Sequence, residues 1–369
     1  MAAGRRGAAA RWAVVAALVA VLASLPAVIG ALPASDAAVS AEALKARVLA
    51  SATVRFSGYA ESAGGLSLPV TDQLTSVANL FSDRTTMRVW WRGPTDNRVD
   101  VVTATGETGT HTATFGSWTW EYERATATRT LGTPLALPAP PDLLPTALGR
   151  RLLSEATDAE LTRIRARRVA GRDALGLRLT PAEPASSVSS VDIWVDKATG
   201  LPLQVQVAGA RGTPTALDTR FLDLDLTTPS PATTAFTPPP GAAVRVGREA
   251  EIVLEAGERI EPVPLPATLA GLPRRRLDGV PSAIGLYGRG VTLLAVAPVP
   301  YRLASGLRAS LVQSPAAIRD DRGVRVAAGP VGLMLVQPSG GGPYILTGTV
   351  TLTALAKAAT ELPGLEPSR

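Results

Sequence analysis

The sequence contains no cysteine and a single histidine, His111, among its 369 residues. The lack of cysteine excludes disulfide bonds, thiolate catalysis, cysteine-ligated zinc sites and a lipidated N-terminal cysteine. One histidine excludes multi-histidine metal centres, and no Gly-x-Ser-x-Gly nucleophile elbow accompanies it. Walker, dinucleotide-binding and EF-hand motifs are missing as well. We therefore expect a protein that is not an enzyme and that uses neither a metal nor a cofactor.

Aromatic residues are also scarce, at 4% of the chain, whereas glycine and proline number 34 and 31. This composition favours many short strands and turns over long helices. The net charge is +6, but the basic residues are spread out, and the one tight cluster is Arg274–Arg276. An isolated basic run is usually a solvated surface, so we expect no nucleic-acid partner.

The N-terminus has the pattern of an export signal. Three arginines precede an apolar run over residues 12–32, which places everything after Ser35 outside the cytoplasm. The alternatives are a cleaved signal peptide within residues 1–37 and an uncleaved membrane anchor formed by residues 12–32. The run is longer than the apolar core of a cleaved signal, usually about 7–15 residues, and this favours the anchor.

The clearest local pattern is Val191–Val207. Every second residue at its start is valine or isoleucine, and the turn-forming residues Lys197–Gly200 follow. Apolar residues then alternate with glutamines. The segment predicts a β-hairpin with Ile193 and Trp194 on opposite faces.

Similar alternating segments recur through residues 38–236 and predict about ten strands, nearly all antiparallel because their connections are short. A proline-rich connector at residues 134–145 interrupts them, and amphipathic helices are predicted at residues 41–52 and 148–156. Flat open sheets of many strands are unusual, so we expect this sheet to curl into a half-barrel. The two helices are the candidates for a lid over its apolar concave face.

A lidded half-barrel contains an apolar cavity that is suited to an acyl chain. The candidate lining residues come from three predicted strands; they are Met87, Val89, Trp91, Trp118, Trp120, Tyr122, Ile193 and Trp194. Alternation alone does not decide which face of each strand turns inward. For the aromatic group in Trp118–Tyr122, the alternative is ordinary core packing between sheet and lid.

Polar side chains that invite a catalytic interpretation have simpler explanations. His111 lies in a threonine-rich segment and is expected to be an ordinary surface histidine. Asp223 and Asp225 share one face of a predicted strand, and the polar face of an amphipathic strand accounts for them.

A second, smaller domain is predicted after a proline-rich linker over residues 237–276. Residues 277–362 contain alternating segments that predict an α+β domain with a final helix capped by Thr351. The predicted strands are residues 283–287, 291–297, 308–312, 324–327, 331–337 and 344–349.

Several segments, in order along the chain, resemble the LolA/RseB superfamily of extracytoplasmic half-barrels. In the first domain they are Gly116–Tyr122 with Arg129, Arg168–Arg172 with Leu177–Pro181, Asp192–Pro202 and Phe236–Gly241. Two more, Tyr287–Val296 and Tyr344–Gly348, are similar to the C-terminal domain of the RseB (MucB) branch, a domain that a plain LolA carrier lacks.

The resemblance implies an α+β, mainly β protein: a curved antiparallel half-barrel with a helical lid, plus a smaller α+β C-terminal domain. It also implies an exported, membrane-associated, non-enzymatic regulator. The half-barrel would bind an acyl chain or a lipoprotein, and a membrane protein of the anti-sigma type would be the partner. The alternative is a LolA-like carrier of lipid or lipoprotein, in which the second domain is accessory.

Overall fold

The computed structural model describes residue 15 and residues 34–64, 84–131, 139–209, 215–247, 264–278, 280–337 and 342–363. The predicted anchor over residues 12–32 therefore lies outside the described residues, apart from Val15. Within the described ranges, no helix combines the length and the apolar character that crossing a membrane requires.

The large domain is built on one open, curved sheet of 12 strands. They are β1 (Phe56–Gly64), β2 (Arg84–Gly93), β3 (Asp96–Thr103), β4 (Gly106–Ala113), β5 (Gly116–Glu121), β6 (Thr126–Leu131), β7 (Leu161–Val169), β8 (Arg172–Leu179), β9 (Ser190–Asp196), β10 (Pro202–Ala208), β11 (Thr215–Asp225) and β12 (Ala243–Val246). Their order is β12-β6-β5-β4-β3-β2-β1-β11-β10-β9-β8-β7. All neighbours pair antiparallel except β12, which runs parallel to β6. The predicted mainly β half-barrel is confirmed.

Both predicted helices exist and cover the same face of the sheet. Helix α1 (Ala41–Ala50) begins at Ser40, whose Oγ accepts a hydrogen bond from the Ala43 N–H at 3.1 Å. Helix α2 (Pro145–Ser154) follows a 3₁₀ turn at Pro140–Leu143. A third, one-turn helix, α3 (Pro231–Thr234), comes after β11.

Cross-strand register identifies the covered face. Met87 pairs with Ala60, and Val205 pairs with Ile193 two strands beyond β1. Continuous pairing through β11 places these four residues on one face of the sheet. They pack with buried leucines of α1, α2 and the 3₁₀ turn into two adjoining apolar cores. The core of the domain therefore lies between the sheet and its lid.

The hairpin of β9 and β10 confirms the predicted strand–turn–strand. Asp196, at the end of β9, accepts hydrogen bonds from Thr199 N–H and Oγ–H at 2.9 and 2.6 Å and pairs with Arg172 at 2.9 Å. Gly200 has φ +79°, and a Cβ there would lie 2.7 Å from the carbonyl oxygen of Arg47 in α1. The turn thus holds one of the two lid helices against the sheet.

The alternating pattern misses two strands of the large sheet, β7 and β12. The alternation of Leu175, Leu177 and Leu179 predicts a single strand over residues 168–181, but the chain forms a hairpin there, with β7 before a turn at Ala170 and Gly171. Four arginines in the nine residues of β7 hide its alternation. As the edge strand of the sheet, β7 tolerates this polar composition because only part of it is buried.

The small domain contains a six-stranded antiparallel sheet. Its strands are β15 (Gly285–Arg289), β16 (Thr292–Pro298), β17 (Ile318–Asp320), β18 (Gly323–Ala328), β19 (Val331–Val336) and β20 (Tyr344–Gly348). They lie in the order β15-β16-β20-β19-β18-β17. A two-residue pair, β13 (Thr268–Leu269) and β14 (Leu272–Pro273), precedes them. Helices α4 (Tyr301–Gln313) and α5 (Leu352–Glu361) complete the domain, and Thr351 caps α5 as predicted.

The predicted strand over residues 308–312 is wrong, because these residues lie inside helix α4. Leu303, Leu307 and Leu311 recur every four residues, which is helical spacing. Leu311 is fully buried against β18 and β19, whereas Leu303 is exposed.

Candidate ligand-binding site

The candidate site is the apolar wall that β1, β2 and β11 present to the lid. Met87, Val89 and Trp91 of β2 are 0%, 1% and 4% exposed. Phe56 stacks on Trp91 with ring centres 6.0 Å apart, and Phe221 meets Phe56 edge-on at 5.5 Å. Alternation along β2 turns these three residues inward because the strand has a period of two. The wall is therefore continuous and apolar.

The lid segment, residues 140–154, covers this wall and packs against it. Leu143 and Leu144 are buried against it. The buried hydroxyl of Thr219 donates a hydrogen bond to the Leu143 carbonyl at 2.7 Å. Gly149 lies so close to the sheet that a Cβ there would be 2.8 Å from Pro202 Cγ. An acyl chain that uses this wall must therefore displace part of the lid.

Ile193 is the fourth predicted lining residue beneath the lid. It is fully buried and shares a core with Leu44 of α1 and Leu153 of α2. Together with the three residues of β2, it belongs to the covered face. Half of the predicted lining residues thus lie where an acyl chain under the lid would contact them.

Trp118 and Trp120 lie on the opposite, outer face. Trp118 pairs with His111, and both rings of β5 contact Phe236, at 5.8 and 5.9 Å between ring centres. Tyr122 follows β5, is 41% exposed, and accepts a hydrogen bond from Arg98. These aromatic residues form a separate cluster beneath the segment that leads from α3 to β12.

Trp194 also lies on the outer face, where β7 folds over it. The Arg167 guanidinium carbon is 3.2 Å from its ring centre, and its indole N–H donates to the Arg165 carbonyl at 3.3 Å. Gly176, opposite Trp194, permits this approach because a Cβ there would lie 2.7 Å from the same carbonyl. The edge strand β7 therefore contributes directly to the burial of Trp194.

His111 is not the surface histidine that the sequence indicated, because it is only 5% exposed. Its Nδ1 lies 3.0 Å from the carbonyl oxygen of Thr234, and its ring packs on Phe236 at 4.7 Å. Burial lowers its pKa. The segment after β11 crosses the outer face and covers it, which the local sequence did not indicate.

The domains meet at the C-terminal end of α2, a junction that the sequence did not reveal. Glu155, directly after α2, accepts hydrogen bonds from Arg275 at 2.7 and 3.0 Å and from the Gly290 N–H at 2.6 Å. Glu160, five residues on, accepts two from Arg289, at 2.9 and 3.1 Å. The expectation that the run Arg274–Arg276 is a solvated surface is wrong for Arg275.

Glu160 is the more buried of the two carboxylates, at 5% side-chain exposure. Burial acts to raise its pKa, but Arg289 and the hydrogen bonds from Ala182 and Thr157 outweigh that effect and lower the pKa to about 2. Glu160 is therefore ionised at neutral pH, and its charge is fully paired.

Apolar and backbone contacts extend the junction. Val291, in the turn between β15 and β16, packs in the same core as Leu153 of α2. Ser187 N–H donates to the Thr349 carbonyl at 3.1 Å, and Thr351 N–H donates to the Ala185 carbonyl at 2.9 Å. Beside them is a groove of about 280 Å³. The lid helix and the small domain thus form one connected contact region.

No family model matches the chain, and no curated protein matches it. Among solved structures, the complex of Pseudomonas aeruginosa MucA/MucB matches at TM-score 0.52 and 16% identity, over 89% of this chain and 99% of the other. The chain shares the fold of MucB. A second structure, MucB in complex with MucA(peri), gives TM-score 0.47 and 17% identity over 89% and 100% of the two chains.

A LolA superfamily protein from Nitrosomonas europaea matches at TM-score 0.27 and 11% identity, over 54% of this chain and 99% of the other. The match to the MucA/MucB complex spans both the large sheet and the small domain, and it confirms the predicted likeness to the MucB branch at the level of fold.

Proposed function

We propose that this protein is an exported, non-enzymatic regulator that is anchored in the membrane by residues 12–32. In this proposal the half-barrel binds an acyl chain or a lipoprotein, and a membrane protein of the anti-sigma type is its partner. The observation that carries the proposal is the MucB-like fold over both domains, because MucB was solved in complex with MucA.

The covered face of the sheet supports acyl binding. Met87, Val89, Trp91 and Ile193 present an apolar wall, and the lid covers it mainly with leucines. A ligand acyl chain that replaces these leucines exchanges one set of apolar contacts for another. The exchange is nearly balanced in hydrophobic free energy, so modest ligand affinity is enough to displace the lid.

The junction supports coupling between the half-barrel and the small domain. Helix α2 ends at Ser154; Glu155 directly after it pairs with Arg275, and Glu160, six residues after its end, pairs with Arg289. Displacement of α2 therefore moves the two carboxylates that form ion pairs with the small domain. A ligand under the lid would favour one arrangement of the domains by its difference in affinity for the two arrangements, and partner affinity would change with it.

Affinity purification of the tagged full-length chain from the membranes of its own host tests this proposal. We expect a membrane protein to co-purify and to be released when dodecanoate is added. Native mass spectrometry of the same preparation should detect a bound lipid. The variant Arg289→Met should keep the lipid and lose the dodecanoate-dependent release.

Two results separate the regulator from the alternative carrier. If lipid co-purifies without any membrane protein, the regulator fails and a LolA-like carrier remains. If the preparation contains no lipid and binds none on addition, both proposals fail.

A further inference from the structure

Three hydrogen-bonding groups beneath the lid have no partner among the described residues. The indole N–H of Trp91, the hydroxyl of Thr146 and the Nη1 group of Arg150 are all buried and unpaired. Trp91 is 4% exposed and Thr146 is fully buried. Unpaired buried donors cost free energy, and native proteins retain few of them.

Two of these groups belong to the lid helix, and the third belongs to the sheet beneath it. Thr146 and Arg150 are four residues apart on α2, so they share one face of the helix. The Arg150 guanidinium carbon is 5.7 Å from the centre of the Trp91 ring. This cation–π contact stabilises the positive charge of Arg150, but it uses none of the N–H donors of the guanidinium.

Arg150 also has no acidic partner. No described carboxylate forms an ion pair with it, and desolvation alone lowers its pKa. Arg172 of β8, by contrast, pairs with Asp196 at 2.9 Å. Arg150 is half-buried, and a half-buried cation with no anion beside it is costly unless something else supplies the negative charge.

We propose that Arg150, Trp91 and Thr146 bind the oxyanion head of an acyl ligand, a carboxylate or a phosphate. The inference rests on the proposed acyl-binding function and names the ligand class. Arginine and indole N–H groups donate and do not accept, which suits an oxyanion. The unpaired amide oxygen of Asn97, the residue that pairs with Trp91, is an acceptor and suits a water or hydroxyl beside that head.

Equilibrium binding of radiolabelled ligands to the full-length chain in amphipol tests the inference. The probes are dodecanoate, dodecyl phosphate, uncharged dodecanol and inorganic phosphate. We expect the two charged acyl ligands to bind about tenfold more tightly than dodecanol, and inorganic phosphate to bind far more weakly than dodecyl phosphate.

The decisive variant is Arg150→Met, which keeps an unbranched apolar stem and removes the guanidinium charge. It should bring the charged ligands to the affinity of dodecanol and leave dodecanol binding unchanged. Arg151→Met is the matched control, because Arg151 is the next residue of the same helix and is exposed. Trp91→Phe keeps an aromatic ring but removes the indole N–H, and should weaken the charged ligands a few-fold more than it weakens dodecanol.

The outcomes are distinguishable. If dodecanol and the charged ligands bind equally and Arg150→Met changes nothing, the oxyanion site is wrong while acyl binding stands. Inorganic phosphate that binds as tightly as dodecyl phosphate would also overturn the ligand class. If none of the acyl ligands binds the wild-type chain, the proposed function itself fails. Should Arg150→Met fail to fold, Trp91→Phe decides alone.

Discussion

Arg289 of the small domain donates to both carboxylate oxygens of Glu160, at 2.9 and 3.1 Å, and Glu160 lies six residues after the end of the lid helix. The ion pair spans 129 residues of sequence. It therefore joins the short segment that follows the lid helix to the second domain.

The low pKa of Glu160 predicts a pH dependence. Because the folded-state pKa is about 2, below the ordinary 4.5, this group stabilises the fold fully above about pH 4.5. The contribution is lost as the pH falls from 4.5 towards 2. Thermal unfolding between about pH 6 and pH 2.5 should therefore show a shallower loss of stability in Glu160→Gln than in the wild type. Identical slopes for the two proteins would contradict the assignment.

The turn at Gly200 predicts a matched pair of substitutions. Gly200 and Gly171 both have positive φ, +79° and +71°, but a Cβ at Gly171 meets nothing within 4 Å. Gly171→Ala should cost about 1 kcal/mol, from backbone strain alone. Gly200→Ala should cost about 1–3 kcal/mol more, because it also displaces Arg47 of α1. Chemical denaturation measures both, and equal costs would show that the contact with α1 is unimportant.

The hydrogen bond from Thr219 to Leu143 predicts how firmly the lid is held. Thr219→Val keeps the shape of the side chain and leaves the Leu143 carbonyl buried and unpaired. We expect a loss of about 1–2 kcal/mol in stability and faster binding of dodecanoate, because the lid opens more readily. Stopped-flow binding measures the rate. Slower or unchanged binding would mean that the lid does not gate this face.

The position of Trp118 predicts a negative result. Trp118 lies on the outer face against Phe236. Trp118→Ala should therefore change dodecanoate affinity by less than about twofold while lowering thermal stability, as expected for loss of a partly buried ring. A large loss of affinity would place the acyl chain on the outer face and contradict the lid as its cover.

Much of the fold follows from local sequence. The period-two pattern of β9 and β10 and the glycine at residue 200 were enough to predict that hairpin. The curled sheet and its lid followed from the number of short strands and the two amphipathic helices. The alternating pattern misses β7 because four arginines hide its apolar positions. It also predicts a strand over residues 308–312, although the leucines of this segment have helical spacing and lie in α4.

The site was harder to predict, because strand alternation gives two faces without saying which is inward. Trp91 and Trp120 both lie in strands in which large apolar residues occupy every second position. The register through β3 and β4 nevertheless places them on opposite sides of the sheet. The roles of Phe236 and Glu160 become visible only from their tertiary contacts. Nothing near them in sequence indicates the partners Trp118 and Arg289.

Hydrogen–deuterium exchange of the full-length chain, with and without dodecanoate, tests the central claim most directly. Ligand binding should accelerate exchange in the lid, residues 140–154, and also at residues 285–292 of the small domain, because Glu155 and Glu160 link the two. Acceleration in the lid alone would contradict the coupling, and no change in either segment would contradict acyl binding beneath the lid.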